Sequence, residues 1–312
     1  MSEIPAIANV SDWKPQRLVW HPIAAISDPD GEALRDAVRK RQPIIVTDLA
    51  ADWPALEHWT PESLSARFGD HRVPVYDASF ADPGSGYMSS KGSMRLAEFL
   101  ERTLSEGQDL RMFLYNLSQK IPAMLDDIRI PDVGLRFSRR FVFSFFGCQG
   151  SVTPLHFDID MTDVLHTVVT GRRRIRLFSP DSSQALYQHP FTVRSYVNLS
   201  QPDLDEFPAL GYAEAYECVL EPGQSLYMPS GWWHEFYYLD AGVGVSLRAP
   251  SPLWIDRLKG LRNLLIGNAV DRLANYSAPR RWFAWKTRRA AKIAAARIHQ
   301  KSNGRPLCAE HD

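Results

Sequence analysis

The sequence predicts a mainly β protein flanked by helices. Three observations carry this. From residue 141 to 249 the chain is a succession of short apolar runs separated by Gly and Pro turns, the texture of a β-sandwich or small barrel. Beyond Pro250, Ser251 and Pro252, the residues Trp254, Leu258, Leu261 and Leu265 recur at i, i+4, i+7 and i+11, one face of a helix. Before residue 140, strand-like and helix-like stretches alternate. The chain of 312 residues therefore divides into a main domain over 1–250 and a helical appendix over 251–312. Within the domain, an α/β module runs to about 140 and the β core from 141 to 250.

The N-terminal elements follow from local chemistry. PIIVTD (43–48) is β-rich, and Asp52, Trp53 and Pro54 break it. WTPESLSARFG (59–69) predicts a helix, with Thr60 as N-cap, Pro61 at the first helical position and Gly69 at the end. HRVPVYD (71–77) returns to strand, and the Ser- and Gly-rich stretch 78–93 reads as a surface loop placed to cover a site. MRLAEFLERTLSE (94–106) predicts an amphipathic helix, and RMFLYNL (111–117) a buried strand.

Composition excludes several classes. Hydrophobic residues are 45% and charged residues 23%, so the chain is neither disordered nor fibrous. No apolar run reaches the ~18 residues of a membrane span, and no secretory leader is visible at the start, so a cytoplasmic location is expected. Cys148, Cys218 and Cys308 are too few and scattered for a disulfide framework or a thiolate zinc site. Lys plus Arg balances Asp plus Glu at 36 each, yet residues 280–301 hold eight bases and no acid. A basic segment thus follows an acidic body. The expectation is that the two meet electrostatically and that this segment serves protein contact, not nucleic acid.

The chemistry concentrates in TPLHFD (153–158). Residues i and i+2 of a strand share a face, so His156 and Asp158 point together while Phe157 faces away. GWWH (231–234) delivers a third candidate, His234, just after a turn. Two His and one carboxylate form the facial triad of non-heme Fe(II) oxygenases, which leaves coordination positions open for a 2-oxo acid and O2. Hydrogen-bonded barrel residues, or the ligands of another metal, are the bland alternatives.

TPLHFD, GRRRIRLFSP (171–180) and LEPGQSLYMPSGWWHEFYYLDAGVGVSLR (220–248) together resemble the JmjC or cupin-type 2-oxoglutarate dioxygenases. Within them, the motifs are most similar to the branch of the asparaginyl hydroxylase that inhibits hypoxia-inducible factor. The resemblance covers roughly residues 40–250. It implies a double-stranded β-helix (jelly-roll) core, Fe(II), 2-oxoglutarate and O2, with succinate and CO2 as co-products. It further implies that Thr153 and the residue two after Gly171 hold the distal carboxylate of 2-oxoglutarate. That residue is Arg173, where the family has Lys. Arg can pair bidentately with a carboxylate, but needs more room. Arg172 and Arg174 are expected on the outer face of the same strand. A Tyr on an upstream strand completes the family pocket; Tyr115 is the candidate, with Phe113 in the alternative register. Val164 and Arg248 stand about where the hydroxylase has Asn residues near the metal, so the resemblance makes Arg248 a candidate contact to the co-substrate.

Further candidates come from the neighbourhood of these motifs. His166 reads as a fourth ligand, a hydrogen-bonded core residue or a substrate contact. Asp160 and Asp163 read either as substrate contacts or as caps of the loop after the motif. Trp232 and Trp233 pack the rim, one of them as a substrate wall. The leading function is hydroxylation of a protein or peptide side chain. The same chemistry on a small molecule such as an amino acid, a non-catalytic metal-binding cupin and a nucleic-acid demethylase are the alternatives. The resemblance also implies a homodimer through the C-terminal helices.

Overall fold

The computed structural model describes residues 17–28, 30–82 and 89–302. Short strands β1 (Trp20–Pro22), β2 (Ala25–Ile26) and β3 (Ile44–Val46) open the chain, followed by β4 (Arg72–Val75), β5 (Gly92–Arg95) and β6 (Arg111–Asn116). The core strands are β7 (Val142–Gly147), β8 (Val152–His156), β9 (Thr162–Thr170), β10 (Arg173–Phe178), β11 (Ala215–Leu220), β12 (Ser225–Met228), β13 (Trp233–Tyr238) and β14 (Gly242–Pro250). Eight strands make two antiparallel sheets, in the orders β8-β13-β10-β11 and β7-β14-β9-β12. This is the jelly roll that the motifs implied. The apolar residues Val164, Val168, Ile175, Leu177, Leu220, Leu226, Met228 and Phe236 fill the space between them.

The N-terminal strands extend these sheets. β1 lies parallel to β11, the parallel pair β2-β3 continues from β12, and β6 pairs with β7. The predicted helix at 59–69 forms over Pro61–Phe68, and Thr60 Oγ1 accepts from the Ser63 amide as its N-cap. The helix expected over 94–106 starts later than predicted. Met94 and Arg95 belong to β5, which pairs with β4, and the helix runs from Leu96 to Leu100 before one π turn to Ser105. The middle of the expected loop, 83–88, lies outside the described residues.

This flank is tied together by Asp127. Its buried carboxylate accepts from Trp59 Nε1 at 2.9 Å, from Arg67 Nη1 at 2.6 Å and lies 3.3 Å from His58 Nδ1. Burial alone would raise its pKa, but these donors together hold it below the usual carboxylate value. The ionised form is therefore the one favoured by folding. Asp127→Ala strands the indole N–H and should cost about 2–3 kcal/mol at neutral pH. Because the folded pKa is depressed, that difference is present above the ordinary Asp value and narrows as pH falls through the folded one. Urea melts of both proteins at pH 7 and pH 3 check it.

The C-terminus is helical, as expected. Trp254–Arg262 continues through a π turn (Asn263–Gly267) into Asn268–Ser277, and a long helix, Pro279–Ser302, follows. Trp254, Leu258, Leu261 and Leu265 form an outward apolar row, each at least half exposed. The long helix packs against the 3-10 turn Pro208–Tyr212, and its Ala290, Ala294 and Ile298 join the apolar cluster that also holds Ala209, Leu210, Phe178 and Trp233. Its basic residues meet the acidic body less than expected: among the described residues, one ion pair, Lys286–Asp271 at 2.7 Å, joins them. Apolar and aromatic side chains, not charge, make that contact: Phe283 packs on His189 and Tyr196, and Trp282 and Trp285 on Phe191.

Candidate metal centre

On β13, His234, Phe236 and Tyr238 face the barrel interior, while Trp233 faces outward. His156 ends β8 directly opposite His234, and their rings lie 4.3 Å apart. Asp158 follows two residues beyond the strand, with Phe157 turned out against Trp233. One ligand atom from each of His156, Asp158 and His234 lies within 4.8 Å of the others. Thr153 shares the interior face with His156 although the two are three positions apart. The β8-β13 register shifts between His234 and Phe236, so Thr153 pairs with Phe236 across one extra residue. That bulge turns both side chains inward.

The chemistry of the three donors fits a divalent cation. His156 Nδ1 is engaged by the Pro154 carbonyl at 2.8 Å, and His234 Nδ1 by the Trp232 carbonyl at 3.1 Å. Each Nδ1 therefore carries the proton and each Nε2 is a free lone pair. Burial, and then the neighbouring His234, push the His156 pKa down to about 3; burial also lowers that of His234. Burial works against ionisation of Asp158, but Arg248 and the two histidines outweigh it and bring its pKa to about 2. Neutral imidazoles beside an anionic carboxylate are the protonation states a metal requires. Arg248 Nη2 binds Asp158 Oδ1 at 2.8 Å, which leaves the second oxygen for a cation.

The cluster opens into a cavity of about 1320 Å³. Arg173 reaches into it, buried to 1% exposure, while Arg172 points to solvent and pairs with Asp240. The Arg173 guanidinium lies 4.2 Å from the Tyr238 ring centre and donates to His166 Nε2 and the Phe145 carbonyl, both at 2.9 Å. No carboxylate pairs with it among the described residues, and its Nε is buried without a partner.

Several expected roles are corrected. Tyr115 does not line the cavity; its ring packs in the apolar core on the other side of the sheet, and Phe113 lines the cavity instead. The cause is a register shift in β6 between Met112 and Tyr115, with Leu114 at φ 49°, which turns Met112 and Tyr115 to the same outer side. Trp233 is fully buried on the outer face, where its Nε1 donates to Ser183 Oγ, so it forms no substrate wall. His166 faces the cavity but has both ring nitrogens engaged, Nδ1 with Ser246 Oγ at 2.9 Å, so it offers no fourth ligand. Arg248 joins Asp158 to Asp160, at 2.8 and 3.1 Å, and so braces the cluster. Asp163 is a buried acceptor for Tyr227 Oη and the Ser230 amide.

Other cavity residues lie outside the candidates that the motifs supply. Tyr238 and Ser246 were legible as i+4 from His234 and i−2 from Arg248 on alternating strands. Asn268, Arg272 and Tyr276 of the C-terminal helix border the exposed outer rim of the cavity, for which no local sequence signal exists.

An eight-stranded jelly roll with a His-Asp-His cluster at its mouth has the architecture of the cupins. This chain belongs to the cupin-like domain family, whose profile matches residues 30–247. It is 34% identical over 229 residues to lysine-specific demethylase JMJ30 of Arabidopsis thaliana, covering 68% of this chain and 51% of that protein. Lysine-specific demethylase 8 of Xenopus tropicalis is 31% identical over 218 residues, covering 66% of this chain and 47% of that one. The tRNA wybutosine-synthesizing protein 5 of Danio rerio is 27% identical over 247 residues, covering 72% and 74%. The chain spans about half the length of the two demethylases. The names of these relatives support the wider JmjC family and not the asparaginyl-hydroxylase branch that the motifs resemble.

Proposed function

We propose that the protein is an Fe(II)- and 2-oxoglutarate-dependent dioxygenase that hydroxylates a protein or peptide side chain. One observation carries the reading: the His156–Asp158–His234 cluster shares a cavity with a buried guanidinium that has no carboxylate partner among the described residues. A buried unpaired cation is costly, and an incoming anion relieves that cost. Fe(II) held by the three side chains supplies the redox chemistry by which O2 and 2-oxoglutarate drive oxygen insertion into a C–H bond. Arg173 receives the distal carboxylate, and Thr153 adds a hydroxyl donor. Phe113, Phe145 and Phe236 keep water from the inner cavity. The cavity extends outward to Arg272 and Tyr276, which suits a side chain presented on a larger molecule.

The names of two relatives favour N-methyl-lysine as one such side chain. Hydroxylation of an N-methyl group yields a hemiaminal that releases formaldehyde, so demethylation is the same C–H chemistry with a different outcome. Purified protein supplied with Fe(II), O2 and 2-oxoglutarate should form succinate without added substrate, and a chelator should stop it. No succinate and no 2-oxoglutarate binding would leave a non-catalytic cupin. With peptide libraries, a gain of one oxygen marks hydroxylation and released formaldehyde marks demethylation. Turnover confined to free amino acids would overturn the macromolecular substrate.

We also propose a homodimer built on the outward row of Trp254, Leu258, Leu261 and Leu265. An exposed apolar strip of this length on a helix is unusual for a monomer. Light scattering should give twice the chain mass for the wild type and a single mass for Leu258→Glu/Leu265→Glu, with circular dichroism unchanged.

A further inference from the structure

We propose that His166 is a positioning residue that fixes the Arg173 guanidinium to receive a distal carboxylate, an inference that rests on the dioxygenase reading above. A guanidinium can only donate hydrogen bonds. The 2.9 Å contact from Arg173 Nη1 therefore makes His166 Nε2 an acceptor and places the ring proton on Nδ1, facing Ser246 Oγ at 2.9 Å. Nη2 is held separately by the Phe145 carbonyl at 2.9 Å. Two anchors on different strands thus hold both terminal nitrogens, and the Tyr238 ring covers the plane.

The slot is shaped for this arginine. A Cβ on Gly244 would lie 2.3 Å from Arg173 Nη1, 2.8 Å from its Cζ and 2.9 Å from His166 Cε1. The missing side chain lets the guanidinium and imidazole lie together against β14. The acceptor is also electrically suitable. Asp or Glu at 166 would hold the guanidinium equally well but cancel the charge that a ligand needs. A neutral imidazole orients it and leaves that charge whole. A side chain anchored beforehand loses less freedom on binding.

The test is calorimetric titration of Mn(II)-loaded protein with 2-oxoglutarate and with 2-oxobutyrate, which lacks the distal carboxylate. His166→Leu should weaken 2-oxoglutarate by about 10–100-fold, the worth of a hydrogen bond to a charged group, and 2-oxobutyrate by less than about threefold. Mn(II) affinity should be unchanged. His166→Gln keeps an acceptor and should recover most of the loss. Equal weakening of both acids would reveal a merely structural role and overturn the proposal, as would an unaffected His166→Leu. Should His166→Leu fail to fold, Ser246→Ala decides: it releases the ring from its tautomer partner and should show a smaller loss confined to 2-oxoglutarate. No selective loss there would overturn the proposal too. A wild type that does not discriminate between the two acids would instead defeat the underlying reading.

Discussion

Asp158→Ala lowers Fe(II)-dependent succinate formation by more than about 100-fold, beyond the 10–100-fold typical of losing an outer-shell partner. The carboxylate is the one anionic donor of the cluster, set between two imidazoles that burial keeps neutral. Without it, a divalent cation meets two neutral nitrogens and the nearby positive Arg248. The variant should still fold. Arg248 keeps Asp160, at 3.1 and 3.3 Å, and Thr162 Oγ1 at 3.1 Å, so the loss of one charged hydrogen bond should cost about 1–2 kcal/mol. Metal titration with a competing chelator, beside a thermal melt, separates the two effects. Wild-type activity in this variant, or wild-type iron affinity, would place the metal elsewhere.

Arg173→Ala should raise the 2-oxoglutarate requirement by two to three orders of magnitude. Breaking a buried ion pair costs about 3–5 kcal/mol, and each 1.4 kcal/mol is tenfold. Arg172→Ala should change little, because that side chain is exposed and pairs with Asp240 on the surface. Stability should move the other way. With no ligand bound, the Arg173 charge has no counter-ion among the described residues, so Arg173→Met should melt no lower than wild type. Added 2-oxoglutarate should raise the wild-type melting temperature and leave that of the methionine variant unchanged. Equal responses of the two proteins would place the distal carboxylate away from Arg173.

The barrel and its donor cluster were legible because both rest on period-two alternation. Arg173 between Arg172 and Arg174 is a question of which face a residue takes, and β10 answered it; Asp158 lies two residues beyond the end of β8, where the i, i+2 spacing still sets it beside His156. Alternation fails where a strand carries an extra residue. The bulge in β6 sent Tyr115 outward, and only main-chain pairing reveals it. The bulge in β8 is equally hidden, although there the family resemblance had already supplied Thr153. Trp233 was misassigned despite regular alternation: its neighbour His234 faces inward, so Trp233 cannot. The bracing of Asp158 by Arg248 and the cavity rim from the C-terminal helix join residues about 90 and more positions apart. Such pairings depend on tertiary packing, and no local pattern encodes them.

The helical arm from Trp254 to Ser277 has two occupations. Its leucines stand bare at the surface, and Asn268, Arg272 and Tyr276, themselves exposed, border the open mouth of the cavity. Whatever settles on the leucines thereby trims the doorway beside them. On the proposed dimer, a shared arm of this kind would make specific activity depend on dilution: substrates that must pass the doorway should respond to protein concentration, whereas uncoupled consumption of the small co-substrate should not.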